Sequence, residues 1–363
     1  MTDTRLPTGE PPAHAVPADD LLIDDLIRAE WVLAPTAVRV HPRYARLRGE
    51  APRRFATHRG ACAWVRAHRD ELGCAVERWA RAGDAERLLV VAEAGTALLH
   101  LGDTGLCRRV HDLAVPLLPD DEDGRQRAMV LGRRLTHALI EFGEPGSALV
   151  VCADTLRRAR ALREDTTQVE ALTHSAAAHL DLGDPAAARA DLGEALSAQD
   201  RDEASPARGR TGGAHHKNRA ARRTRVLCLM AQACARGGDL DDAVTWLDAA
   251  TAIAAVGKRQ PRTLFPVHVS TAIVRLARGE PDIAAAAAGA AITVLRARDC
   301  ADIHTDPQHH HAHTVAADIH TALARQADPG GHHARLAERH RCAAATGTPY
   351  LPAPAAAEPV VPA

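Results

Sequence analysis

Apolar and polar residues alternate along most of this chain with helical spacing. In "GDLDDAVTWLDAA", Leu240, Ala243, Val244, Leu247 and Ala250 share one face, while Asp241 and Asp242 favour the positive end of the helix. That segment opens on a glycine followed by an acid, and the step recurs in "HLGDTGLC", "EFGEPGSA", "DLGDPAAA" and "ARGEPDIA". The stretches align on Gly102, Gly143, Gly183, Gly238 and Gly279. Five residues after each glycine stand Cys107, Ala148, Ala188, Ala243 and Ala284. Twelve after stand Ala114, Thr155, Ala195, Ala250 and Ala291; seven before stand Gly95, Thr136, Ala176, Ala231 and Ala272. Small residues at fixed offsets on both sides of a turn let two antiparallel helices approach closely, and the next pair after them.

The turn chemistry agrees. Glycine supplies the left-handed residue that closes a first helix. Asp103, Asp184 and Asp239 are good N-caps for the second, with Glu144 and Glu280 weaker. Pro145, Pro185 and Pro281 then stand at the first helical position, where a missing N–H costs nothing. The pattern predicts five helical hairpins over about 84–298.

These offsets resemble the tetratricopeptide repeat, a helix–turn–helix unit with small residues at the same three places. Pro119 matches that repeat's closing proline. The steps between the glycines are 41, 40, 55 and 41 residues, against ~34 in the usual repeat. The usual large aromatic positions mostly hold leucine, histidine or cysteine. The resemblance implies an all-α chain built as a right-handed α-solenoid of long, degenerate hairpins whose first helices line a concave groove. Histidines recur inside the helices, at His100, His111, His137, His174 and His179. On that reading His137 and His179, with Arg133 and Arg134, are candidates to face the groove and bind a carboxylate.

The N-terminal part carries a second resemblance. "EWVLAPTAVRVHPRY" and "FATHRGACAWVRAHRDELGCAVERWARAGDAE" are similar to a segment of large actinobacterial regulators. Those proteins join an NB-ARC-type signalling ATPase to C-terminal tetratricopeptide repeats. The matching positions are Trp31, Leu33, Pro42, Phe55, Ala63, Trp64, Arg69, Leu72, Ala75 and Gly83. His68 stands where that family has an acid, and Glu71 where it has asparagine. The resemblance runs from about Leu21 to Ile292 and concerns scaffold positions. It implies signalling or transcriptional control through protein–protein contact. The glycine-lysine step in "AVGKRQ" lacks the upstream glycine and the hydroxyl of a phosphate loop, so no ATP hydrolysis by this chain is expected.

Composition adds limits. The chain has 363 residues, of which 46% are hydrophobic but only 2% aromatic, a balance that suits close-packed helices. A net charge of −1 supplies no global field for nucleic acid or anionic membranes. Eight cysteines without a C-x-x-C pair are expected to be buried thiols in a reducing compartment. With no signal-peptide pattern and no membrane-length apolar run, a cytoplasmic chain is expected. No nucleophile elbow, phosphate cradle or carboxylate pair suggests an enzyme, and no cofactor is expected.

Two local features stand apart. The basic insert over 199–225 holds Arg219, Arg222 and Arg223, with no acid from Arg208 to Arg225. It is expected as a loop running into a helix, and as a candidate contact for an acidic partner. A nucleic-acid version is weakened by the lack of interleaved aromatics. The histidine-rich end, "DPQHHHAHTVAADIHTALARQ" and "GGHHARLAERHRC", places His309 and His313 at i,i+4, a spacing able to chelate zinc or nickel. His320 lies two turns further along that face, and His333 and His340 repeat the seven-residue step. This stretch is expected as a helical cap over 302–345 with largely exposed histidines.

The expected organisation is a disordered leader (1–20), an N-terminal helical segment (21–83), the hairpins, the cap, and a disordered tail (346–363). The expected function is a non-catalytic scaffold binding another protein or a peptide. A sensor for a peptide or small molecule is the alternative, and metal binding by the C-terminal histidines a lesser one.

Overall fold

The structure is a computed structural model. It describes residues 18–33, 39, 41–47, 54–99, 104–119, 121–141, 143–204, 213–256, 261–296, 314–321, 325 and 332–346. Among these residues the fold is all-helical. The N-terminal part comprises α1 (Ala18–Leu33), α2 (Pro42–Leu47), α3 (His58–Ala67), α4 (Arg69–Ala82), α5 (Ala85–Ala94), α6 (Thr96–Leu99) and α7 (Thr104–Ala114). Its core gathers Ile23, Leu26 and Ile27 of α1 with Leu72, Val76, Leu88, Val91 and Leu98, all fully covered. The first helix begins at Ala18, inside the expected leader; residues 1–17 lie outside the described residues.

Long helices follow in neighbouring pairs: α8 (Glu122–Glu141) with α9 (Pro145–Ala161), α10 (Asp165–Asp181) with α11 (Pro185–Ala204), α12 (Gly213–Gly237) with α13 (Leu240–Val256), and α14 (Pro261–Ala277) with α15 (Pro281–Arg296). The first helices also touch in sequence, α8 on α10, α10 on α12 and α12 on α14. A helical segment over 314–321 (α16) places Val315, Ala316 and Ile319 against Phe265, Val269 and Ala288 of the last pair. The chain then continues to α17 (His332–Thr346).

The Gly-acid steps are the corners between paired helices. Gly143, Gly183, Gly238 and Gly279 have φ of 76°, 78°, 90° and 75°, a region that a Cβ disfavours. The hydrogen bonds are those of a helix closed by a left-handed residue. Gly183 N donates to Leu180 O at 3.1 Å, and Asp184 N reaches back to His179 O at 2.8 Å. Asp184 then caps the next helix, its carboxylate accepting from Ala187 N at 2.9 Å. The Gly102 corner lies outside the described residues.

Two corners of the same form escaped the sequence pattern. Gly83 (φ 67°) closes α4, and Asp84 caps α5 by accepting from Arg87 N at 3.1 Å. Arg163 (φ 54°) closes α9 with the same pair of bonds, Arg163 N to Arg160 O and Glu164 N to Ala159 O.

The small residues lie where the helices meet. Ala148, Ala188, Ala243 and Ala284 are fully buried, as are Ala195, Ala250 and Ala291 and, on the opposite helices, Ala176, Ala231 and Ala272. Cys107, Thr155 and Thr136 are buried at the equivalent positions of the other pairs. At Gly132 of α8 the helices leave no room for a side chain, because an added methyl would run into Thr155 Oγ1 of α9.

The described parts of the basic insert, 199–204 and 213–225, are helical. Its first residues extend α11 to Ala204 and its last ones begin α12, with 205–212 outside the described residues. The acids absent from the run Arg208–Arg225 come from the start of the same insert, at the end of α11, because Arg223 pairs with Asp200 at 2.8 Å and Arg219 with Asp202 at 3.4 Å. Among the described residues no helix is long and apolar enough to cross a membrane.

Candidate functional site

The layer of first helices carries a polar cluster at its centre. Arg133 and His137 stand on α8 one turn apart, Glu170 and His174 on α10 one turn apart, and Arg222 and Arg225 on α12. The i,i+4 spacing on α8 and on α10 puts each pair on one helix face. Contact between α8, α10 and α12 then brings the three sets together.

Glu170 is the hub. One of its carboxylate oxygens accepts from Arg133 Nη1 at 2.6 Å, and the other lies 3.8 Å from Arg222 Nη1. The His137 ring meets His174 edge-on, 5.6 Å between centroids. His174 is buried, and its Nδ1 has no hydrogen-bond partner among the described residues. Burial, reinforced by Arg225, His137 and Arg133, holds its pKa well below the ordinary 6.5. Burial disfavours charge of either sign, but the positive neighbours that reinforce it would attract an anion. Two guanidiniums, of Arg133 and Arg222, gather here around one carboxylate, and each can present a fork of N–H donors to an acidic group.

The expected groove residues thus divide. Arg133 and His137 belong to this cluster. His179 lies at the other end of α10, with Nε2 3.8 Å from Asp191 of its own hairpin partner α11. Arg134 faces away, into the N-terminal helices, where its side chain is almost covered, donates to the Glu93 carbonyl and stands 3.9 Å from Glu30. Of the expected anion-contact arginines, Arg222 joins the cluster, whereas Arg219 and Arg223 face Asp202 and Asp200. His309 and His313 lie outside the described residues.

Arg134 completes a second polar constellation. Glu30 and Glu93 are both buried. Arg39 binds Glu30 at 2.8 Å and lies over the Trp31 ring, 3.5 Å from its centroid. The backbone N–H of His41 donates to Glu93 at 2.9 Å. Tyr44 is buried beside both acids, its Oη without a hydrogen-bond partner among the described residues, and burial raises its pKa well above 10.0. Two acids and two arginines balance in charge, so the network ties the N-terminal helices to α8. A signal for it exists in the sequence: Glu30 continues the apolar stripe of Ile23, Leu26 and Ile27, where an acid needs a buried partner.

No protein-family model matches this chain, and neither does any curated protein.

Proposed function

We propose that this chain is a non-catalytic interaction scaffold. On this reading the hairpins form a solenoid of tetratricopeptide type, and the layer of first helices is the docking face for a partner protein or peptide. The role is regulatory, in signalling or transcriptional control. The observation that carries the proposal is the placement of Arg133, His137, Glu170, His174 and Arg222 on three successive first helices. Repeat arrays bind extended partners through side chains contributed by several units in this way. A carboxylate of the partner would engage Arg133 and Arg222, in competition with Glu170.

Photo-crosslinking tests this. A crosslinking residue at His137, on the first-helix layer, should trap a partner in the chain's own host. The same residue at the exposed Val150 of α9, on a second helix, should not. Equal yields from both positions, or a partner trapped only at Val150, would contradict the assignment.

A further inference from the structure

The histidines at the C-terminal end are better ordered against one another than their sequence suggests. His320 of α16 and His333 of α17 approach with their Nδ1 atoms 3.3 Å apart, the rings nearly parallel at 17°. His340, two turns after His333, stacks on the His320 ring at a centroid distance of 5.4 Å and an angle of 3°. His340 is buried and the other two are half-buried, so this is a packed corner rather than an exposed comb. Arg341 reinforces the contact, its Nη1 donating to Thr321 Oγ1 at 3.3 Å.

Two imidazole nitrogens bound to one tetrahedral zinc ion, with bonds of about 2.0–2.1 Å, stand about 3.3–3.4 Å apart. The His320–His333 separation already has that value. We propose that these two Nδ1 atoms form a seat for a divalent transition metal of the zinc or nickel class, to which imidazole is well suited. The seat joins two separate helices and is independent of the docking face on the first helices. Among the described residues no group of three His, Cys, Asp or Glu side chains is placed to hold a metal ion. Water therefore completes the coordination, and binding is weaker than in a closed four-ligand site.

Between two neutral rings, one Nδ1 donates its proton and the other accepts. Metal entry moves that proton to Nε2 of the donating ring, so that both Nδ1 lone pairs face the ion. By tying α16 to α17, the ion stabilises this end of the fold.

The test is a calorimetric titration of Zn²⁺ into chelator-treated, tag-free full-length protein at pH 7.5. Wild type should bind one ion that His320→Ala and His333→Ala each weaken at least tenfold, with circular dichroism checking the fold of both. The His309→Ala/His313→Ala double variant should keep that ion. His333→Gln serves as the second variant should the alanine forms lose structure. Absence of binding in wild type would overturn the proposal and leave the contact as an N–H···N hydrogen bond. Undiminished binding in the His320 and His333 variants, or loss only in the His309/His313 variant, would overturn it too.

Discussion

Arg163 occupies a backbone position that its neighbours in the pattern give to glycine. Its φ of 54° places a Cβ where the left-handed conformation is strained, at a cost of about 1–2 kcal/mol. Replacing it by glycine relieves that strain but adds freedom to the unfolded chain, by about 0.5–1 kcal/mol. Arg163→Gly should therefore stabilise the protein by at most about 1.5 kcal/mol, while Gly183→Ala at φ 78° should destabilise it; urea denaturation measures both. The arginine also explains why the α9–α10 corner was illegible in the sequence, since the glycine that marks the other corners is absent. The Gly83–Asp84 step was legible but coincides with the expected boundary of the N-terminal segment, and so went uncounted among the repeats.

Buried histidines set a pH dependence. Burial lowers His111 to about 4 from 6.5 and holds His174 well below the same ordinary value. Between the folded and unfolded pKa values the unfolded chain binds more protons, so stability rises with pH across roughly 4 to 6.5 and is complete above it. Asp181 acts oppositely, because burial holds its pKa above the usual 3.8. The diagnostic is therefore a variant. His174→Gln should show a shallower fall in Tm than wild type from pH 7 to pH 4.5, and an unchanged slope would contradict the account.

Thiols differ in the same way. Burial pushes Cys152 and Cys228 up to about 12, and Cys62, Cys107 and Cys234 are also buried. Alkylation of the native protein at pH 8, mapped by mass spectrometry, should modify the exposed Cys74 and Cys342 well before these five.

Among helices, packing depends on the small positions. Ala231 of α12 is fully buried at the seven-before position. Ala231→Leu should cost about 1–3 kcal/mol through overpacking, and Gly132→Ala should be destabilising because its methyl meets Thr155 on α9. These positions were legible because close helix approach restricts residue size at fixed offsets. Charge pairing across helices was not legible, since residues distant in sequence supply it. Glu170 is claimed by Arg133 from 37 residues upstream, and Arg134 is drawn to Glu93 from 41 residues away. A side chain that looked available for the groove is thereby committed to the N-terminal helices. Arg134→Ala should remove a cation from the Glu30–Glu93 network and cost on the order of 3–5 kcal/mol, read by thermal or urea unfolding.

At the scale of the whole molecule, the chain is helices throughout the described residues, paired through repeated corners, with first helices in contact with one another. The sequence reading reached this architecture because turn chemistry and small-residue spacing are local properties. The polar cluster on the first helices was reached only in part. Arg133, His137 and Arg222 were candidates beforehand, but His174 was one histidine among several, and Glu170 was unmarked. Their convergence depends on the contacts of α8, α10 and α12, which no single stretch encodes.

The most direct measurement is native mass spectrometry of the untagged chain purified gently from its own host. The proposed scaffold should carry a bound protein or peptide, and Arg133→Ala/Arg222→Ala should release it while leaving the helical circular dichroism spectrum intact. A chain that remains unbound in every preparation, or a bound species indifferent to both arginines, would contradict the docking face on the first helices.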